Sequence, residues 1–137
     1  MKKVLIDLNV ILDFLTRRKN HKNAAMVFNL IENKKIKGYV AVHEITTLAY
    51  FLEKEKIKTK EFKNIINEIL DLYTLVNINE SMLRSALESE IKDFEDAVLE
   101  QAGLKENLEF IVTNNIKDFT KGKIEAITPE QLVGIIS

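Results

Sequence analysis

The chain has 137 residues, of which 46% are hydrophobic and 30% are charged, and its net charge is −1. These values are those of an ordinary globular protein of single-domain size, and they exclude a globally basic nucleic-acid-binding surface. The absence of cysteine excludes disulfides, thiolate metal sites and a cysteine nucleophile, and no apolar run approaches the roughly 18–20 residues of a membrane span.

The first predicted elements are a strand and a helix. Residues 3–8 form a short apolar run that predicts a buried strand, and apolar residues at helical spacing follow from Val10 onward. Asp7, Asn9 and Asp13 interrupt any longer apolar segment, which argues against a secretory signal peptide. We therefore expect a cytoplasmic protein in which this run is the first strand.

Helices and strands alternate along the rest of the chain. Apolar residues at helical spacing predict helices over residues 24–31, 45–52, 62–73, 80–89 and 93–103. Short apolar runs predict strands over residues 39–42, 74–78, 109–112 and 124–127. We expect Gly38 to precede the second strand and Gly103 to form a left-handed C-cap. Thr128, Pro129 and Gln131 predict a last helix that begins with a capping box.

This alternation predicts an α/β fold with a mainly parallel sheet of four to five strands, covered by helices. The sequence has no repeat, low-complexity segment or linker, so we expect one domain over residues 1–137. Ligands of such sheets bind at the carboxyl ends of the strands, near the point where the winding reverses. Functional residues should therefore lie at the strand-to-helix transitions.

Acidic and amide side chains stand at these transitions. The residues concerned are Asp7, Asn9, Glu44, Asp93, Asp96, Thr113, Asn114, Asn115 and Asp118. Each of them alone is explained as a helix cap, a first-turn acid or a loop residue. Together, the carboxylates would repel one another, and no Arg or Lys of these motifs neutralises them. Mg²⁺ or Mn²⁺ would remove the repulsion and would support phosphoryl chemistry by activating water.

Two other groups of residues have simpler interpretations. His43 adjoins Glu44, and a single histidine at a helix start is most often a surface or capping residue. Basic residues cluster at residues 17–22, 54–63 and 117–123. Such clusters are usually solvated faces, although basic rims around an acidic centre also suit a polyanionic substrate.

Four segments, in this order, resemble the PIN domain, the fold of VapC-like toxin ribonucleases. They are Val-Leu-Ile-Asp-Leu-Asn-Val-Ile-Leu (4–12), Val-His-Glu-Ile (42–45), Asp-Phe-Glu-Asp-Ala (93–97) and Ile-Val-Thr-Asn-Asn-Ile-Lys-Asp-Phe (111–119). No single segment is specific, but the combination spans nearly the whole chain. The resemblance implies a three-layer α/β/α fold.

The resemblance also implies roles for individual residues. Asp7, Glu44 and Asp96 would bind the metal, Asn9 would brace Asp7, and Thr113 would orient the site through its hydroxyl. Many PIN domains have an Asp two residues after this Thr, where this chain has Asn115. Asp118 would then supply the fourth carboxylate. Asp93 would be either an additional acid or a helix cap.

The reaction implied by the resemblance is metal-dependent hydrolysis of RNA phosphodiester bonds, which leaves a 3′-hydroxyl and a 5′-phosphate. It also implies a homodimer and, for a toxin, a small antitoxin that inserts into the active-site groove. By position and charge, we expect Arg17, Arg18 and Lys22 to flank the groove and contact the RNA backbone.

Two alternatives stay open at this point. The first is a catalytically weak or inactive PIN-like module that binds RNA or a protein, because Asn115 replaces an acid. The second is an Mg²⁺-dependent phosphatase or phosphotransferase with Asp7 as nucleophile. Dehalogenase-like sites of that class need an Asp where Asn9 stands, and receiver-like sites need an acidic pair within residues 2–6, where none occurs.

Overall fold

Five strands and seven α-helices alternate along residues 1–136, the part of the chain that the computed structural model describes. The strands are β1 (Lys2–Ile6), β2 (Ile36–Ala41), β3 (Thr74–Val76), β4 (Phe110–Val112) and β5 (Glu125–Ile127). The helices are α1 (Leu8–Leu15), α2 (His21–Glu32), α3 (Val42–Lys54), α4 (Thr59–Leu72), α5 (Glu80–Leu87), α6 (Phe94–Lys105) and α7 (Pro129–Ile136). None of these described helices has both the length and the apolar character needed to cross a membrane.

The strands form one sheet in the order β3-β2-β1-β4-β5, and every neighbouring pair is parallel. The predicted α/β fold with a sheet of four to five strands is therefore confirmed. The chain winds from β1 through β2 to β3, and then crosses to β4 and β5 on the other side of β1. The winding reverses between β1 and β4, which is where sheets of this kind bind ligands.

Helices cover both faces of the sheet, so its strands are apolar on both sides. In β1, Val4 and Ile6 pack into one core, which α1, α2, α3, α4 and α7 complete. Leu5 points into the opposite core, which α5 and α6 complete. This arrangement confirms the three layers, and it explains why β1 reads as an uninterrupted apolar run.

Two boundaries around the first strands differ from the prediction. Leu8 was expected in the first strand but begins α1, because the Asp7 side chain caps that helix. Gly38 was expected before the second strand but lies inside β2, which already begins at Ile36. A Cβ at Gly38 would lie 2.6 Å from the Ile31 side chain. The glycine therefore reflects close packing against a helix, and it does not mark a turn.

The expectation for Gly103 was wrong. The helix α6 continues to Lys105, and Asn107 adopts the left-handed conformation with φ 54°. The Leu108 N–H donates to the Gly103 carbonyl (2.9 Å) and the Asn107 N–H to the Leu104 carbonyl (3.2 Å), a Schellman motif. Gly103 itself leaves room for a neighbour, since a Cβ there would lie 2.6 Å from a side-chain carbon of Ile124.

The predicted start of the last helix is confirmed. The Gln131 N–H donates to Thr128 Oγ1 (3.1 Å), and the Thr128 N–H donates to Gln131 Oε1 (2.9 Å). These reciprocal hydrogen bonds form a capping box, and Pro129 occupies the first helical position.

Candidate active site

Asp7 stands at the carboxyl end of β1, beside the point where the winding reverses. The pairing of Ile6 with Val112 brings Asp7 level with Thr113, and Thr113 Oγ1 donates to Asp7 Oδ2 (2.8 Å). The Asn9 backbone N–H, and not the Asn9 side chain, lies 3.4 Å from Asp7 Oδ1. Burial raises the pKa of Asp7, as do the charges of Glu95 and Asp118, although the two hydrogen bonds oppose this rise. The carboxylate is thus fixed in position but poorly compensated.

Glu44 is the third residue of α3, which follows β2 directly. Only 1% of its surface is exposed, and neither carboxylate oxygen has a hydrogen-bond partner within residues 1–136. Burial, followed by the charges of Asp7 and Glu95, raises the pKa of Glu44 to about 8. A buried carboxylate without a partner is costly, which makes Glu44 the most unusual acid of the protein.

Asp93 and Asp96 lie at the start of α6. The Asp93 side chain caps this helix by accepting a hydrogen bond from the Asp96 backbone N–H (3.0 Å). Asp96 is half-buried, and its pKa rises to about 7 because of burial and the nearby charges of Asp93, Asp7 and Asp118. Asp93 therefore acts as a cap in this structure, while Asp96 faces the other acids.

The segment after β4 carries the remaining polar residues. Asp118 lies in a short 3₁₀ helix (Ile116–Phe119) and is exposed, yet its charge raises the pKa of both Asp7 and Asp96. The Asn115 backbone N–H donates to Thr113 Oγ1 (3.0 Å), and its side chain is exposed. The structure thus brings the carboxylate of Asp118 toward the other acids.

No Lys or Arg pairs with these acids within the described residues. The ion pairs found there join Lys2 to Glu109 (3.0 Å) and Arg84 to Glu80 (2.7 Å), outside the cluster. The negative charge of this acidic centre is therefore uncompensated, and its raised pKa values mean that Glu44 keeps its proton at neutral pH when no cation is bound. The donor atoms of the centre are carboxylate oxygens, the ligands that Mg²⁺ and Mn²⁺ prefer, so the donor chemistry fits such a cation. Among the described residues, however, the three side chains whose ligand atoms lie close enough to share one ion are His43, Glu44 and Glu95.

Two residues of the centre were not recognised from the sequence. The ligand atoms of His43, Glu44 and Glu95 all lie within 4.8 Å of one another. His43 was interpreted as a surface or capping residue, but it is half-buried, its Nδ1 has no hydrogen-bond partner within residues 1–136, and burial lowers its pKa. The adjacency of His43 to Glu44 and of Glu95 to Asp96 was the available signal.

Two further buried acids support the site without being predicted. Asp13, in α1, is 7% exposed, and its Oδ2 accepts a hydrogen bond from Asn114 Nδ2 (2.6 Å). Glu100, in α6, is 2% exposed and accepts a hydrogen bond from the Lys123 backbone N–H (2.7 Å). Both hydrogen bonds hold the segment after β4 against neighbouring helices. A charged residue within an apolar stretch, such as Asp13 beside Leu12, was the only sequence signal.

One of the basic residues proposed to contact RNA, Arg18, packs against another part of α3. The Arg18 guanidinium lies 6.0 Å from the centroid of the Phe51 ring. Phe51 stands seven residues after Glu44 in α3. This separation is roughly 10 Å along the helix. Lys92, Lys117 and Lys121 are closer, because they line a cavity of about 300 Å³ together with Asp93 and Asp118.

Comparison with known families identifies the chain. The PIN domain model matches residues 3–117. This chain belongs to the PIN domain family. No curated protein matches this PIN domain.

Solved structures with similar folds include chains of VapBC2, of a toxin–antitoxin complex and of the toxin VapC20. A chain of VapBC2 from Rickettsia felis, bound to a promoter DNA fragment, is 18% identical, with a TM-score of 0.65 over 92% of this chain and 98% of that one. A chain of a toxin–antitoxin complex from Klebsiella pneumoniae is 21% identical, with a TM-score of 0.67 over 92% of this chain and 97% of that one. The sarcin-ricin-loop-cleaving toxin VapC20 of Mycobacterium tuberculosis is 12% identical, with a TM-score of 0.62 over 79% of this chain and 86% of that one. At these identities the likeness shows the fold alone.

Proposed function

We propose that this PIN domain is a metal-dependent endoribonuclease, the toxin of a toxin–antitoxin pair, that acts on RNA in the cytoplasm. The observation that carries the proposal is the uncompensated group of carboxylates at the carboxyl edge of the sheet. Its centre is Glu44, which is buried without a hydrogen-bond partner among the described residues and has a pKa raised to about 8. The fold similarity to VapC20, described as a sarcin-ricin-loop-cleaving toxin, supports RNA as the substrate.

Asp7, Glu44, Asp96 and Asp118 would hold Mg²⁺ or Mn²⁺. When bound, such a cation polarises the phosphodiester and activates water, so that the products carry a 3′-hydroxyl and a 5′-phosphate. The chain itself supplies a rigid set of ligands. Thr113 fixes Asp7 from β4, and the helix starts of α3 and α6 fix Glu44 and Asp96. Such support keeps ligands in place as charge changes during the reaction.

The proposal is tested by RNA cleavage with purified protein and Mg²⁺ or Mn²⁺. The substitutions Asp7→Asn, Glu44→Gln, Asp96→Asn and Asp118→Asn each remove one carboxylate charge. Asp71→Asn is the matched control, since Asp71 is an exposed acid on α4, outside the acidic centre. Wild type and control should cleave RNA, EDTA should abolish cleavage, and the first three variants should lose at least about a hundredfold in rate.

Asp118→Asn tests whether the metal site has a fourth carboxylate ligand or only the three of Asp7, Glu44 and Asp96. If Asp118 supplies a fourth ligand, this variant should need more Mg²⁺ for the same rate. Cleavage that survives EDTA or Asp7→Asn would reject the metal-nuclease proposal. Equal activity of the control and all four variants would point to a contaminating nuclease.

We further propose a small antitoxin as partner, because the fold resembles a chain of a toxin–antitoxin complex. Co-purification with the product of a short adjacent reading frame, and loss of RNA cleavage in that complex, would support it. We also propose a homodimer, which analytical ultracentrifugation of the isolated chain would test. A sedimentation coefficient of a monomer at high concentration would contradict it.

A second candidate is an RNA- or protein-binding module without catalysis. Asn115 favours it, because an amide side chain stands where many PIN domains carry an acid. RNA binding by the wild type, without cleavage at any Mn²⁺ or Mg²⁺ concentration, would favour this candidate over the nuclease.

A further inference from the structure

His43, Glu44 and Glu95 form a small cluster on one side of the acidic centre. One ligand atom from each residue, an imidazole nitrogen and two carboxylate oxygens, lies within 4.8 Å of the other two. His43 and Glu44 occupy neighbouring positions at the start of α3, and Glu95 lies in the first turn of α6. The cluster thus joins two helices that approach the sheet edge from different strands.

The cluster is more than a group of nearby acids. Glu44 is almost fully buried, and both of its oxygens lack a hydrogen-bond partner within residues 1–136. His43 Nδ1 is also buried without a partner. Buried polar atoms are almost always satisfied, so unpartnered atoms from two adjacent residues indicate a missing ligand. Glu95 is exposed, which leaves its side chain free to complete the set.

We propose that His43, Glu44 and Glu95 form a binding site for a first-row transition-metal ion, with Zn²⁺ as its probe. An imidazole nitrogen suits Zn²⁺ and similar ions, whereas Mg²⁺ prefers oxygen ligands alone. Bonds of about 2.0–2.2 Å place the ligands of Zn²⁺ roughly 3–4 Å apart, so a small rotation of Glu95 would close the cluster around the ion. Three protein ligands leave one position for water.

Two of the three residues of this site, His43 and Glu95, do not belong to the proposed Mg²⁺ site. The two sites share Glu44, which has two free oxygens, but Asp7, Asp96 and Asp118 belong only to the Mg²⁺ site. The inference does not rest on the proposed nuclease activity, because it is tested by metal binding. A failure of Zn²⁺ binding would leave the nuclease proposal intact, and a failure of cleavage would leave the Zn²⁺ site intact.

The experiment measures Zn²⁺ binding to untagged protein by competition with a chromogenic indicator. His43→Ala and Glu95→Gln each remove one ligand of the cluster. His21→Ala is the matched control, because His21 is the other histidine of the chain and its Nδ1 lies 3.0 Å from the Arg18 carbonyl oxygen. Asp96→Asn tests whether the Mg²⁺ ligands contribute. Circular dichroism of each variant shows whether the fold is retained.

Wild type and His21→Ala should bind one Zn²⁺ with similar affinity, and Asp96→Asn, which removes only a nearby charge, should lose less affinity than either cluster variant. His43→Ala and Glu95→Gln should lose at least about tenfold, since removing even a supporting residue of a metal site has that effect. Because Glu95 is exposed, Glu95→Gln stays informative if His43→Ala fails to fold. Undiminished Zn²⁺ binding in a folded His43→Ala or Glu95→Gln variant would overturn the proposal, as would equal losses in Asp96→Asn.

Discussion

The Thr113 hydroxyl donates a 2.8 Å hydrogen bond to Asp7, across 106 residues of sequence. The register of β1 and β4 imposes this contact, because Ile6 pairs with Val112 and the next residue of each strand follows in step. Thr113 is fully buried and also accepts a hydrogen bond from the Asn115 backbone N–H. One hydroxyl therefore links the central strand, its neighbour and the segment that carries Asp118.

Thr113→Val removes this hydroxyl and keeps the shape of the side chain, so the variant tests the hydrogen bonds alone. The variant leaves the Asn115 N–H and Asp7 Oδ2 without their partner, which should lower the free energy of unfolding by about 1–3 kcal/mol. Because Asp7 would lose its orientation, the affinity for Mg²⁺ should fall roughly 10–100-fold. Urea unfolding and Mg²⁺ titration measure the two effects. Thr113→Ser keeps the hydroxyl and should retain most of both quantities. Equal behaviour of the two variants would mean that the hydrogen bond is unimportant.

The pH dependence of stability should reveal Glu44. Its pKa is about 8 in the folded protein against an ordinary value of 4.5. Between these values the folded state holds a proton that the unfolded chain has released, so the free energy of unfolding must fall as pH rises through this window. In EDTA the fall should be on the order of a few kcal/mol between about pH 5 and about pH 9. Urea unfolding at several pH values measures it.

Glu44→Gln should flatten this pH dependence, since an amide does not titrate. Asp96, whose pKa rises to about 7, contributes in the same direction and leaves a residual slope. Mg²⁺ should raise the stability of the wild type most at high pH, where the carboxylates are ionised. Asp71→Asn should behave like the wild type. If the free energy of unfolding of the wild type rose with pH in EDTA, the raised pKa of Glu44 would be contradicted.

The sheet could be predicted from the sequence because its pattern is strong. Strands buried on both faces are apolar throughout, and a capping box such as Thr128–Gln131 has few other interpretations. Gly38 and Gly103 were misread because both are explained by packing against residues of other elements, Ile31 and Ile124. A glycine beside an apolar run looks the same whether it ends an element or makes room for a neighbour.

The acids of the site could be predicted only in part. Asp7, Glu44 and Asp96 stand at strand ends or helix starts, and topology brings such positions to one edge of a sheet. Glu95 and His43 were missed because adjacency to an acid does not determine which way a side chain points. The burial of Glu100 could not be foreseen, because its partner is a backbone N–H in the loop before β5.

Gly122→Ala should loosen the segment that carries Asp118. A Cβ at Gly122 would overlap Glu100 Oε2, the atom that accepts the Lys123 N–H. Glu100 is buried and cannot move without breaking this hydrogen bond, so the variant should cost about 1–3 kcal/mol in unfolding free energy. It should also raise the Mg²⁺ concentration needed for activity if Asp118 is a ligand.

Gly134→Ala is the matched control for this substitution. Gly134 lies in α7, and no atom of the described residues lies within 4 Å of the position that a Cβ would take there. Alanine should therefore stabilise the protein by about 0.5–1 kcal/mol through helix propensity alone. Urea unfolding should show that the free energy of unfolding falls in Gly122→Ala and rises in Gly134→Ala. A Gly122→Ala variant as stable as the wild type would show that Glu100 does not hold this segment.

RNA affinity should depend more on the lysines beside the acidic centre than on the arginines after α1. Lys92, Lys117 and Lys121 line one cavity with Asp93 and Asp118, whereas Arg18 packs against Phe51 farther along α3. A phosphate held at the acids lies within reach of the first group. Alanine substitution of these lysines should weaken RNA binding. For each lysine–phosphate ion pair that is removed, the slope of log affinity against log salt should decrease by about 1.

The comparison variant replaces Arg17, Arg18 and Lys22 with alanine, which removes the same number of positive charges from the exposed segment around the start of α2. Binding is measured with the Asp7→Asn background, so that RNA is not cleaved during the titration. If only long-range attraction matters, both triple variants should change the salt slope equally, because each lowers the net charge by the same amount. A larger change in the lysine variant would instead identify local phosphate binding. A larger change in the Arg17, Arg18 and Lys22 variant would show that the RNA follows α1 away from the sheet edge.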